Sequence, residues 1–207
     1  MDVDDAAASA FVDGVHTVVL VEGHSDRRAV EAIARRRGRD LGREGVAVIA
    51  MGGATNIQHF VDRLGPNGLD LGLAGLCDAG EEHDYRRALE RAGVGTDLDR
   101  DGLEALGFYV CDADLEDELI RAIGTDGVEQ LIETEGDLRG WHTFLKQPAQ
   151  QGRARTAQLR RFIGTRSGRK IHYASQLVDA LDLTNVPRPL DGVLAHLSRA
   201  VSGRVGR

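Results

Sequence analysis

Three short acidic strings stand directly after apolar runs in the first half of the chain. They are Glu22-Gly23-His24-Ser25-Asp26, Asp78-Ala79-Gly80-Glu81-Glu82 and Asp112-Ala113-Asp114-Leu115-Glu116. If the preceding runs are neighbouring parallel strands, the strings emerge at one sheet edge, where ligands of such sheets gather. Carboxylates held that close repel one another unless a cation sits among them. An all-oxygen donor set suits Mg2+ or Mn2+, whereas zinc would favour His and Cys. Two such ions about 4 Å apart can activate a water and stabilise both oxygens of an in-line phosphoryl displacement. Acidic residues also end buried strands simply where the chain enters water. Glu81, Glu82, Asp117 and Glu118 in particular suit the first turns of helices. The recurrence of the pattern at three strand ends favours the metal reading.

Lysine is scarce, with only Lys146 and Lys170 among 26 basic residues. A lysine kept in an arginine-rich chain offers a compact, movable charge for a phosphoryl or leaving oxygen. The formal charge of −7 argues against a phosphate-backbone ligand, but it is unevenly distributed. Residues 1–124 hold 13 basic and 25 acidic side chains, and residues 125–207 hold 13 and 8. From Leu138 to Val178 there are nine basic residues and no acidic one. Arg153, Arg155, Arg160, Arg161, Arg166 and Arg169 are therefore the candidates for tracking a nucleic-acid backbone. Pairing with the acidic half is the competing use for them.

The other chemistry-bearing residues carry weaker signals. The seven histidines show no metal-type pairing; His24, inside the first acidic string, is a bystander more readily than a proton shuttle. Trp141 and Phe144 share a helix face and read as core. Nothing around Tyr85, Tyr109 or Tyr173 marks a covalent nucleophile. Gly52-Gly53 suits a tight turn or the approach of a phosphate to a helix N-terminus. The stretch from Gly164 to Lys170 lacks both the spacing and the preceding strand of a phosphate-binding loop. Cys77 and Cys111 end apolar runs and read as buried thiols.

The elements that must position these groups are legible as alternating runs. Thr17 to Val21, Val46 to Met51, Leu71 to Cys77 and Phe108 to Cys111 are nearly continuous in apolar residues, which suits strands buried on both faces. Ser25 to Arg37, Thr55 to Leu64 and Glu82 to Ala92 have helical periodicity, with Ser25 as the expected N-cap. This alternation predicts a parallel four-stranded α/β sheet flanked by helices. Beyond Asp112 no strong strand follows. Helices are expected at Asp114 to Ile123, Val128 to Glu133, Trp141 to Leu145, Thr156 to Ile163, Ile171 to Leu181 and Leu190 to Val201. The expected organisation is a flexible N-terminal segment at 1–15, a sheet domain at 16–124 and a basic helical C-terminal extension at 125–207. No apolar run is long enough to span a bilayer and no secretory signal is visible, so a soluble, cytoplasmic chain is expected.

The string Leu20-Val21-Glu22-Gly23-His24-Ser25-Asp26, with Asp78 after the third run and Asp114-Leu115-Glu116 after the fourth, resembles the Toprim domain of topoisomerases, primases and nucleases. It is most similar to the Toprim part of the OLD (overcoming lysogenization defect) nucleases, over roughly residues 16–181. The resemblance implies a Rossmann-like Toprim fold binding one or two Mg2+ or Mn2+ ions. It implies metal ligands at Glu22, Asp26, Asp78, Asp114 and Glu116, with Asp112 as a further ligand or support. Catalytic roles fall to Glu22, Asp78, Glu116 and a lysine, for which Gly168-Arg169-Lys170 points to Lys170 ahead of Lys146. One departure is Gly80, which replaces the second Asp of the family's Asp-x-Asp and leaves Glu81 or Glu82 to supply that position. The ATPase domain that precedes Toprim in OLD proteins has no counterpart here. The expectation is action without ATP or with a separate ATPase partner.

The function expected is that of a metal-dependent endonuclease or phosphodiesterase, a hydrolase of DNA ahead of RNA, with a homodimer compatible. The alternative is a weak or inactive Toprim module that binds nucleic acid or a partner ATPase. A receiver-like domain phosphorylated on Asp78 fits less well, because no fifth strand delivers its lysine.

Overall fold

The computed structural model describes residues 14–165 and 167–205. The expected N-terminal segment therefore falls almost wholly outside the described residues, as does Arg166. Four parallel strands form one sheet: β1 (Thr17–Val21), β2 (Val46–Ala50), β3 (Gly72–Asp78) and β4 (Phe108–Cys111), in the order β2-β1-β3-β4. Among the described residues ten α-helices accompany them. Those of the first half are α1 (His24–Arg36), α2 (Ile57–Leu64), α3 (Glu82–Arg91) and α4 (Arg100–Ala105). Those of the second are α5 (Leu115–Ile123), α6 (Thr125–Thr134), α7 (Leu138–Leu145), α8 (Arg155–Gly164), α9 (Ser167–Ala180) and α10 (Arg188–Val205).

The alternation of side chains along a strand assigns one set to each sheet face. Val18 and Leu20 enter a core with Phe60, Tyr85, Leu89 and Leu103, beneath α2, α3 and α4. Val19 and Val21 enter a second core with Ile33, Trp141, Phe162, Tyr173, Leu177 and Leu190. The second core unites α1 with the helices beyond residue 124. Arg36 donates to the carbonyls of Val178 at 2.7 Å and Leu181 at 2.8 Å, and Arg39 donates to Leu194 O at 2.7 Å. Arg36 thereby places positive charge on the carbonyl oxygens at the end of α9, which lack intrahelical partners. Trp141 is wholly buried, stacked on Phe144 and edge-on to Phe162. Both cysteines are buried free thiols.

Three local details depart from the sequence expectations. The N-cap of α1 is Gly23, not Ser25; Ser25 is buried in the first turn, and Asp26 reaches back to accept from Gly23 N at 2.9 Å. The second expected helix begins as a 3-10 turn, Ala54–Asn56. Helix α4 was not expected: it buries only Leu103 and depends on Asp99, whose side chain accepts from Gly102 N at 2.8 Å. Among the described residues no helix is long and apolar enough to cross a membrane.

Candidate metal and phosphate site

The sheet order places β1, β3 and β4 side by side, so the three acidic strings leave one edge at adjacent positions. The chain turns from β1 to β2 on one side and to β3 on the other, and the crevice of a parallel sheet forms at such a reversal. Glu22 and Asp78 flank that point. Backbone bonds hold the first loop: Gly52 N and Gly53 N both donate to Glu22 O, at 3.0 and 3.2 Å. Gly52 (φ 77°) and Gly53 (φ 136°) occupy conformations that disfavour other residues, which makes this pair a tight turn with its amides already engaged.

One oxygen each from Glu22, Asp78 and Glu81 lies within 4.8 Å of the other two. Desolvation pushes the Asp78 carboxyl up to about 8, and the charges of Asp26, Asp114, Glu22 and Glu81 push it the same way. Asp26 is also raised, chiefly by burial, against the pull of Lys170 and the Gly23 amide. Carboxylates that cannot all ionise together define a place where a cation relieves the repulsion. The donors are all hard oxygens, so the residues present fit Mg2+ or Mn2+.

Asp114 and Glu116 extend this group. Asp114 caps α5, accepting from Asp117 N at 2.8 Å, while its other oxygen accepts from Arg160 Nε at 2.5 Å. Glu116 is only 3% exposed and lies 3.1 Å from Lys170 Nζ. Burial pushes Glu116 up to about 7, although Lys170 pulls it down. Burial of the Lys170 ammonium opposes its charge, yet Glu116 and Asp26 raise it above the ordinary lysine value. Lys146 is an exposed residue at the end of α7.

The remaining acids are employed elsewhere. Glu82 is paired with Arg86 and, at 2.9 Å, with Arg100; burial opposes the charge, but the two arginines hold it below the usual range. Asp112 is 69% exposed and pairs with Arg100 at 3.3 Å and Arg121 at 3.9 Å. Glu118 accepts from Asp112 N at 3.0 Å and pairs with Arg121, which also holds Asp117. The geometry thus groups Glu22, Asp26, Asp78, Glu81, Asp114 and Glu116 and sets Asp112 among arginines. Glu81 takes the place beside Asp78 that Gly80 leaves without a carboxylate. Its only sequence signal was its position three residues after Asp78.

A cleft of about 570 Å³ opens beside this group, lined by Asp114, Glu116 and Lys170 and by Arg153, Arg160 and Arg161. Arg155 and Arg169 do not line this cleft and have other partners. Arg155 pairs with Glu129 at 3.1 Å and lies over Trp141, and Arg169 pairs with Asp137 at 3.2 Å and lies over Phe162. His24 is exposed. Tyr85 and Tyr173 are buried with their hydroxyls donating to Leu76 O and Asp137, and Tyr109 is buried as well.

A four-stranded parallel sheet with acidic loops on both sides of its reversal point defines a Toprim-type α/β module. Residues 15–79 match the model of the overcoming lysogenization defect protein-like TOPRIM domain. The fold of nearly the whole chain is similar to solved C-terminal regions of OLD proteins. That of Burkholderia pseudomallei superposes with a TM-score of 0.70 at 23% identity, covering 90% of this chain and 98% of that one. That of Xanthomonas campestris pv. campestris superposes with a TM-score of 0.72 at 25% identity, covering 94% and 98%. No curated protein matches the chain.

Proposed function

We propose that the chain is a divalent-metal-dependent phosphodiesterase that cuts or nicks DNA. The observation that carries this reading is the meeting of two opposite charge systems at one place. Carboxylates crowd around Asp78, and Lys170, Arg153, Arg160 and Arg161 line the adjoining cleft together with Asp114 and Glu116. Glu22, Asp26, Asp78 and Glu81 would hold one Mg2+ or Mn2+, with Asp114 and Glu116 available to a second. A bound ion of this kind supplies a nucleophilic water and Lewis-acid stabilisation of phosphoryl oxygens.

The chain's own groups do the rest. Lys170, kept protonated by Glu116 and Asp26, presents its Nζ protons to a phosphoryl or departing oxygen. Arg160, anchored through Nε on Asp114, directs its guanidinium along the cleft wall, and Arg153 and Arg161 add charge for flanking phosphates. Burial of Glu116 limits water around the Lys170 contact and strengthens it.

The test is cleavage of plasmid and single-stranded DNA across Mg2+, Mn2+ and Ca2+, with Glu22→Ala and Asp78→Ala as variants. Loss of metal-dependent cleavage in both, with the circular dichroism spectrum retained, is expected. Full activity in both variants overturns the reading. A second reading, a module that binds nucleic acid or a partner ATPase without turnover, is favoured by Gly80, which brings no carboxylate to the position beside Asp78. Tight substrate binding with no cleavage under any of these ions supports it.

A further inference from the structure

A second groove, of about 450 Å³, lies between α7 and α8 and shares one wall residue, Thr165, with the cleft beside the carboxylates. Its lining includes Arg139, Gly140, Thr143, Gln147 and Arg169, and none of its residues is acidic. Thr165 is held as the divide between the two: its hydroxyl donates to Phe162 O at 2.6 Å and accepts from Arg169 Nη1 at 3.1 Å. Arg169 is fixed by Asp137 and the Phe162 ring, so one edge of the groove carries a rigid guanidinium. Arg139, also in the lining, is exposed, and no ion pair engages it among the described residues. A Cβ at Gly140 has room, meeting Arg169 and Phe162 at 3.8 Å and, at 3.9 Å, the Asp137 carboxylate that Arg169 neutralises.

We infer that this groove takes the nucleotides flanking the scissile phosphate, so that one DNA strand runs from the carboxylate cleft across Thr165 and onto α7. The inference rests on the nuclease reading above and extends it to a substrate class: a strand unpaired for several nucleotides on one side of the cut. Three features carry it: a wall residue shared with the first cleft, no acidic residue in the lining itself, and two arginines, Arg139 and Arg169, within it. Together they suit a polyanion of regular phosphate spacing. Hydroxyl and amide groups from Thr143 and Gln147 between the arginines give partners for sugars and bases without demanding a sequence.

The test is binding of fluorescent oligothymidylates of about 4 and about 12 nucleotides in Ca2+, lengths spanning a typical single-strand site. The wild-type chain should bind the longer probe at least tenfold more tightly, and Arg139→Glu and Gly140→Glu should each erase most of that advantage. Arg139→Glu should also lower the salt slope for the longer probe by about 1. Gly140→Ala, which adds no charge and suits a helix interior, should keep the advantage. Equal binding of both probes by the wild type, an undiminished advantage in both Glu variants, or equal loss of both probes overturns the groove assignment while leaving the nuclease reading standing. A wild-type chain that neither binds nor cuts DNA overturns both.

Discussion

Lys170 Nζ lies 3.1 Å from Glu116 Oε2, joining α9 to the first turn of α5. The contact keeps a nearly buried carboxylate from standing unpaired and fixes the ammonium at the mouth of the cleft. Lys170→Met should lower single-turnover DNA cleavage by about 10²- to 10³-fold, the usual loss when one preorganised charge is removed. Mn2+ binding, followed by calorimetry, should persist. Lys146→Met should leave cleavage unchanged.

Burial of the carboxylates, with their crowding, has a consequence for stability in the absence of metal. Asp78 is pushed up from 3.8 to about 8 and Glu116 from 4.5 to about 7. Through the interval between these ordinary and raised values the folded chain keeps protons that the unfolded chain has released. Stability of the metal-free protein therefore falls as pH rises from about 4 to about 8. In EDTA the Tm should be higher at pH 5 than at pH 8, and Asp78→Asn should flatten the difference. Saturating Mn2+ should raise the Tm more at pH 8 than at pH 5.

Arg100 ties two acidic loops together, reaching Glu82 at 2.9 Å and Asp112 at 3.3 Å. Its side chain is partly exposed, so its removal should cost little stability, about 1 kcal/mol or less. The effect should fall on the spacing of Asp78 and Glu81 relative to Asp114 and Glu116. Arg100→Ala is expected to weaken Mn2+ binding several-fold, with Arg100→Lys recovering part of the loss. A large fall in Tm with unchanged Mn2+ affinity would mean that the pairing is only structural.

Position 80 has room for the carboxylate it lacks. A Cβ there meets nothing within 4 Å, and the backbone is not left-handed. Gly80→Asp should fold normally and tighten Mn2+ binding by about tenfold, as an added charged oxygen ligand does. Glu81→Ala should weaken binding, and the double variant should recover toward wild type. Unchanged Mn2+ affinity in Glu81→Ala would remove Glu81 from the ligand set.

The four strands and most helices were legible because burial on both faces leaves continuous apolar runs and covered helices leave a periodic stripe. Helix α4 was not, since one buried leucine, Leu103, makes no period. The grouping of the three acidic strings followed from their places after β1, β3 and β4, but the sorting within each string did not. Glu81 and Glu82 are adjacent in sequence, and only the arginines of α3 and α4 decide that Glu82 turns to them. Asp112 is withdrawn by Arg100 and Arg121 in the same way. The basic stretch likewise divides by tertiary partners: Arg155 and Arg169 lie against Trp141 and Phe162, while Arg160 meets Asp114. Spacing along α8 carries no hint of those rings.

The docking of α9 onto α1 sets an order of events during synthesis. A ribosome delivers the acidic edge first. Lys170 and the arginines of the cleft arrive only later. They take their places once α9 has closed over Ile33 and the second core is sealed. Carboxylates and cations of the site thus come from opposite halves of the chain, and a fragment ending before α9 carries Glu116 without its Lys170 partner.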